Sequence, residues 1–153
     1  MSLDPLPPSS DHDGARHGGD GLGAVSTRFV LGSDRRELSA LRAAVGAWLD
    51  DVPGPPWLAA RAQLVASELA TMAMDLGAAD RPIEAFLRRT HSIVVIEVSF
   101  DVAPGAAVSL TDRMTAGGDL EVRVLEHLSD RLTAHDGGRR VSLASTFHLQ
   151  RPT

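Results

Sequence analysis

Ser67-Glu68-Leu69-Ala70-Thr71-Met72-Ala73-Met74 is the stretch on which the fold turns. Val65, Leu69, Met72 and Leu76 recur at helical spacing and predict a buried stripe on a helix from about Trp57 to Leu76. Glu68 and Met72 stand four residues apart and therefore share a helix face. In its plainest reading Met72 is core packing and Glu68 a partly exposed carboxylate beside it. Gly77 is the expected end signal of the helix.

Upstream, Pro53-Gly54-Pro55-Pro56 separates this helix from another. That earlier helix places Leu38, Leu41, Val45, Trp48, Leu49 and Val52 on one face, with Asp34 and Glu37 spaced as a capping box. Trp48 and Trp57 flank the break and are expected to pack together under it. Ser26–Leu31 alternates and predicts a first strand. Downstream, Ile83–Arg89 and Ser92–Phe100 read as strands joined by a tight turn near Thr90-His91. Ile93-Val94-Val95-Ile96 is continuously apolar, which places its strand centrally. After a loop with Pro104, Gly105, Gly117 and Gly118, a third helix is predicted over Leu120–Leu132, its core face being Val124, Leu125, Leu128 and Leu132. The last strand sets Val141, Leu143, Ser145, Phe147 and Leu149 on one side. The order β-α-α-β-β-α-β predicts an α/β two-layer sandwich, a mixed, mostly antiparallel sheet covered on one face by about three helices.

The 153 residues suit one domain over residues 25–150, preceded by a leader, residues 1–24. Pro5, Pro7, Pro8 and five Gly among Ser, Asp and His cannot bury enough apolar surface to offset ordering entropy, so the leader is expected to be disordered. His12 and His17 among its acids are spaced too laxly to specify a metal site. Fifteen basic residues, all Arg, against twenty acids give a net charge of −5, which argues against direct nucleic-acid binding. The absence of Lys excludes a P-loop lysine and Schiff-base chemistry, and the absence of Cys excludes disulfides and thiol nucleophiles. Ser67 and Thr71 precede no His at a triad spacing. His91, His127 and His135 have no identifiable partner and read as surface residues. No apolar run approaches a membrane span, and Met1–Gly23 lacks a signal-peptide core, so a cytoplasmic location is expected.

Several local words resemble the anti-sigma factor and serine-kinase branch of the Bergerat-fold ATPases, the superfamily of gyrase, histidine kinases and heat-shock chaperones. They are Ala44-Val45-Gly46-Ala47-Trp48-Leu49, Ser67-Glu68-Leu69-Ala70-Thr71, Ile96-Glu97-Val98, and Val124-Leu125-Glu126-His127-Leu128-Ser129-Asp130-Arg131. The resemblance covers about residues 26–149 and implies a histidine-kinase-like ATPase fold. The Ala-, Arg-, Asp- and Gly-rich usage suggests a GC-rich bacterial genome.

The resemblance also implies three nucleotide-binding words, and this chain departs from each. The family helix reads Glu-Leu-x-x-Asn-Ala; its Glu polarises the attacking group and its Asn holds magnesium. Here Glu68 is kept, Met72 stands at Asn, and Leu76 stands where a His often follows. A thioether is a poor ligand for hard Mg²⁺. The family's Asp-x-Gly, which receives adenine, falls on Phe100 and Val102. Sliding by one residue restores Asp101 but turns it to the other strand face unless a bulge intervenes. Phe100 is then either core or a filler of the adenine space. The Gly-x-Gly-Leu that offers N–H groups to phosphates falls on Asp119-Leu120-Glu121-Val122, where two carboxylates would repel ATP; Gly117-Gly118 would serve only after a shift of two residues.

The expectation is a regulatory protein-binding module working without magnesium, ATP or another cofactor. The family implies a sigma factor or a small antagonist domain as partner, and homodimerisation. The alternative is a divergent ATP-dependent serine/threonine kinase using Glu68, with Asp75, Asp101 or Asp119 replacing the missing Asn. A further alternative is another small ligand in the vacated cleft.

Overall fold

The computed structural model describes residues 24–51, 54–104, 110, 112–114 and 119–150. The rest of the expected leader, Val52, and Gly105, Gly117 and Gly118 lie outside them. The elements are β1 (Val25–Leu31), α1 (Glu37–Asp50), α2 (Leu58–Leu76), β2 (Ile83–Arg89), β3 (Ile93–Asp101), α3 (Leu120–Leu128), β4 (Arg131–Asp136) and β5 (Arg140–His148). Leu110 and residues 112–114 are also helical.

The strands form one sheet in the order β1-β2-β3-β5-β4, and every pairing is antiparallel. The sheet expected to be mixed is thus fully antiparallel among the described residues, because successive strands are joined by hairpins or by helices that return the chain alongside. At the β2–β3 turn the Thr90 N–H donates to the Ile93 carbonyl at 2.9 Å, and the Thr90 hydroxyl accepts from the Ile93 N–H at 3.2 Å. β3 is central, and alternation sorts its side chains. Val94, Ile96, Val98 and Phe100 are buried toward the helices, while Ile93, Val95 and Glu97 are half-buried on the helix-free face.

The helices lie on one face of the sheet. α2 packs on β2, β3 and β5, and α1 and α3 pack against α2. Val65, Leu69, Met72 and Ala73 of α2 are fully buried, as are Val45 of α1 and Leu125 of α3. Each fully buried Leu, Ile or Met stabilises the fold by about 1.5–3 kcal/mol relative to exposure, so this stripe fixes α2 to the sheet.

Three expectations require correction. First, the third helix ends at Leu128, not Leu132, and a strand absent from the sequence reading, β4, follows. The Ser129 backbone is extended (φ −118°, ψ 161°) and its hydroxyl donates to the Leu125 carbonyl at 2.8 Å, which closes the helix. Leu132 therefore faces Ser145 across the β4–β5 pair rather than the core side of a helix. Second, Asp34 and Glu37 do not form a capping box. α1 starts at Glu37 with Arg36 at its N-cap, so Asp34 accepts from the Arg36 N–H at 2.9 Å while the Glu37 carboxylate accepts from the Gly32 N–H at 2.8 Å. Third, Trp57 packs its ring against Phe147, 6.4 Å away, and under the Arg61 guanidinium, rather than against Trp48. Gly77 ends α2 as expected, in extended backbone (φ −78°, ψ 158°). Space is the reason for glycine there: a Cβ would stand 2.5 Å from the Ala73 carbonyl oxygen and 3.4 Å from the Phe100 ring.

Candidate functional site

The seven sequence-predicted positions fall into three separate environments. On α2, Glu68 is half-buried and Met72 is fully buried among the core side chains. Ser67, just before Glu68, accepts from the Arg42 guanidinium of α1 at 2.9 Å, and the Thr71 hydroxyl donates to the Ser67 carbonyl at 2.8 Å. The side chain at the Asn position is thus turned into the sheet–helix interface, where it fills volume.

At the end of β3, Phe100 is 1% exposed and lies in the same core. Asp101 goes the other way. The β3–β5 register runs unbroken from Ile93↔His148 to Asp101↔Arg140, so no bulge intervenes and alternation carries the Asp101 side chain to the helix-free face. There it pairs with Arg140 at 3.2 Å. Arg140 also reaches Glu84 at 3.3 Å, and Glu84 holds Arg28 at 3.0 Å, a chain of charges across β1, β2, β3 and β5. Val102 continues past the strand, bridging Gly77; its N–H donates to the Arg139 carbonyl at 2.8 Å.

The third environment is the start of α3. Asp119 is its N-cap, with extended backbone and a carboxylate that accepts from the Val122 N–H at 3.0 Å. Arg113 donates to the other Asp119 oxygen at 2.6 Å and also grips Glu121. The hydrogen bond from Arg113 holds the Asp119 carboxyl below its ordinary pKa against the opposing effect of burial, and the Val122 N–H adds to the lowering. Partial burial acts to lower the Arg113 pKa, but its hydrogen bonds to Asp119 and Glu121 outweigh that and raise it. The positive end of α3 is therefore already met by an anion, the protein's own.

The structure brings Met72 and Phe100 into one core and keeps Asp101 and the Asp119–Glu121 pair apart from it. The three carboxylates suggested as substitute magnesium ligands are each held by an arginine: Asp75 by Arg35 at 2.5 Å, Asp101 by Arg140, and Asp119 by Arg113. Among the described residues no group of three or more His, Asp or Glu could hold a metal ion. The arginine partners are what sequence reasoning missed. No spacing signals them, since each pair except Arg113–Asp119 joins residues about forty positions apart.

Two concave surfaces lie elsewhere. One, of about 500 Å³, is on the helix-free face and is lined by Ser26, Arg28, Phe86, Arg88, Val95 and Glu97 among others. The other is a shallow groove between α2 and α3, lined by Leu64, Leu120, Val124 and Leu128 with Arg123 and His127. Leu120 is 73% exposed there. No described helix is long and apolar enough to cross a membrane. No protein-family model matches this chain, and no curated protein matches it significantly.

Proposed function

We propose that this chain is a regulatory protein-binding module, resembling anti-sigma factor and serine-kinase domains, that works by contact with a protein partner and without Mg-ATP. One observation carries the reading: the positions of the three nucleotide words are filled by the protein's own groups. The Met72 and Phe100 side chains occupy core volume, and the Asp119 carboxylate takes a helix N-terminal N–H that a phosphate would need. The positions that would set a metal and phosphates beside Glu68 hold the Met72 thioether and the Asp119 and Glu121 carboxylates, which give a general base nothing to act with. These residues do not fit magnesium and ATP. The resemblance points to a sigma factor or its antagonist domain as the partner, to homodimerisation, and to a cytoplasmic setting.

Calorimetric titration of the unmodified chain with Mg-ATP tests the reading, and no binding heat is expected up to millimolar nucleotide. Micromolar binding, with phosphate transfer abolished by Glu68→Gln, would establish the kinase alternative instead. Capture experiments with a sigma factor and an antagonist domain test the partner class; capture of neither would leave that class without support.

A further inference from the structure

Side chains on the helix-free face line up in rows across the strands. The row nearest the start of β1 is Ser26, Arg88, Val95, Thr146 and Arg131. It contains two exposed arginines and no acid. The other arginines of that face, Arg28 and Arg140, are tied to Glu84 and Asp101, whereas neither Arg88 nor Arg131 has an ion pair with a described residue. Val95 and Phe86 add a half-buried apolar floor beside Arg88, within the groove of about 500 Å³. On a chain of net charge −5 this row carries positive charge, and the acid lining the same groove, Glu97, stands in the adjacent row.

The chain reaches that row directly from its N-terminal segment, because β1 begins at Val25, next to Ser26. Residues 1–23 contain Asp4, Asp11, Asp13 and Asp20 against Arg16, four acids and one base, a net charge of −3. Asp20 lies five positions before Val25, a reach of about 17 Å at roughly 3.4 Å per residue, and Asp13 reaches about 40 Å. Four strand spacings of about 4.8 Å make the sheet roughly 19 Å wide. The acidic segment is thus long enough, attached at the right end and of the complementary sign.

We infer that the Asp11–Asp20 part of the N-terminal segment docks across the row Ser26–Arg88–Val95–Thr146–Arg131 and covers the groove. Its carboxylates meet Arg88 and Arg131. This interaction lies on the face opposite the Met72–Phe100 core and does not depend on the function proposed above. It makes the groove a receptor for acidic peptide, held internally at a high effective concentration because the segment is tethered beside it.

The chain has no Cys, so Ser10→Cys gives a single attachment point for a nitroxide on the full-length protein. With ¹⁵N-labelled protein, the label is expected to reduce the amide signals of Arg88, Val95 and Thr146 to less than half. Signals from α1 should stay unchanged. The effect should vanish in Arg88→Glu/Arg131→Glu, a variant whose substitutions are both at exposed positions, and in about 0.5 M salt, where the screening length falls to a few ångströms. The inference is overturned by no broadening, by broadening at Leu64 and Leu120 instead, or by broadening that persists in the charge-reversed variant. It is also overturned if spin-labelled, unlabelled-nitrogen chains broaden ¹⁵N chains lacking the label, because the occupant would then be a second copy.

Discussion

At the scale of single residues, volume decides more than chemistry. Met72 is an anomaly only when compared with an asparagine; in its own surroundings it is a well-buried apolar side chain. Met72→Asn would therefore bury an amide without restoring a metal site, at a cost of about 1–3 kcal/mol, and would be a poor test of lost function. Gly77 offers a cleaner one. Its backbone is extended and open to any residue, so a conformational argument predicts that alanine is harmless. The close approach of Ala73 and Phe100 predicts the opposite, because backbone oxygen at 2.5 Å cannot rotate away. Gly77→Ala is expected to destabilise the protein by about 1–3 kcal/mol, the usual cost of overpacking, read as a lower urea midpoint with an unchanged m-value. An unchanged midpoint would show that α2 and β3 can separate locally at no cost. Glycine as the end of α2 was legible in the sequence; the reason for it depends on Phe100, twenty-three positions on, and was not.

At the scale of elements, the start of α3 is the most informative. Its cap, its charge partner and its degenerate phosphate position all meet at Asp119. Asp119→Ala removes the acceptor for the Val122 N–H and the partner of Arg113, with an expected loss of about 1–2 kcal/mol. Asp119→Asn keeps an acceptor and should recover the capping part. The pH dependence has a definite sign. The Asp119 pKa is depressed in the folded chain below the ordinary carboxyl value of 3.8, so its contribution is complete above that value and is lost as pH falls below it through the folded pKa. The wild type minus Asp119→Asn stability difference, measured by urea denaturation, should therefore be flat near neutrality and shrink only below about pH 4; a difference that is constant to strong acid would refute the charge pairing. Element boundaries record where the sequence was legible. β2 was readable to the residue, since Ile83, Ala85, Leu87 and Arg89 all turn inward. β4 was missed because Leu132 continues the i, i+4 spacing of Leu128, so the same apolar residue satisfies a helix or a strand. The signal that separates them is Asp136-Gly137-Gly138, a hairpin turn in which Gly138 adopts φ 91° and its N–H donates to Asp136 at 2.9 Å.

At the scale of the whole molecule, the sheet separates two kinds of surface. On the helical side the sequence pattern of buried residues carries nearly all the information, which is why the layer arrangement could be read in advance. On the helix-free side the pattern is alternation alone, and what matters is which charges meet across strands; that depends on register, so neither the Arg140–Glu84–Arg28 chain nor the Arg88–Arg131 row could be anticipated. The division bears on nucleotide in a way that thermal unfolding can read. A ligand that binds only the folded state at one hundred times its Kd stabilises it by about 2.7 kcal/mol. For a domain of this size each kcal/mol moves Tm by about 2–4 °C, so millimolar Mg-ATP binding with a Kd near 10 µM would raise Tm by roughly 5–10 °C. With Met72 and Phe100 filling the core and Asp119 closing α3, no nucleotide-dependent shift is expected, with or without magnesium. A rise with ATP alone would place binding on a basic surface such as the Arg88–Arg131 row, and that rise should vanish in the charge-reversed variant. A rise that requires magnesium and survives in that variant would mean that the α2–α3 side opens to bind metal and nucleotide, contrary to the packing of Met72.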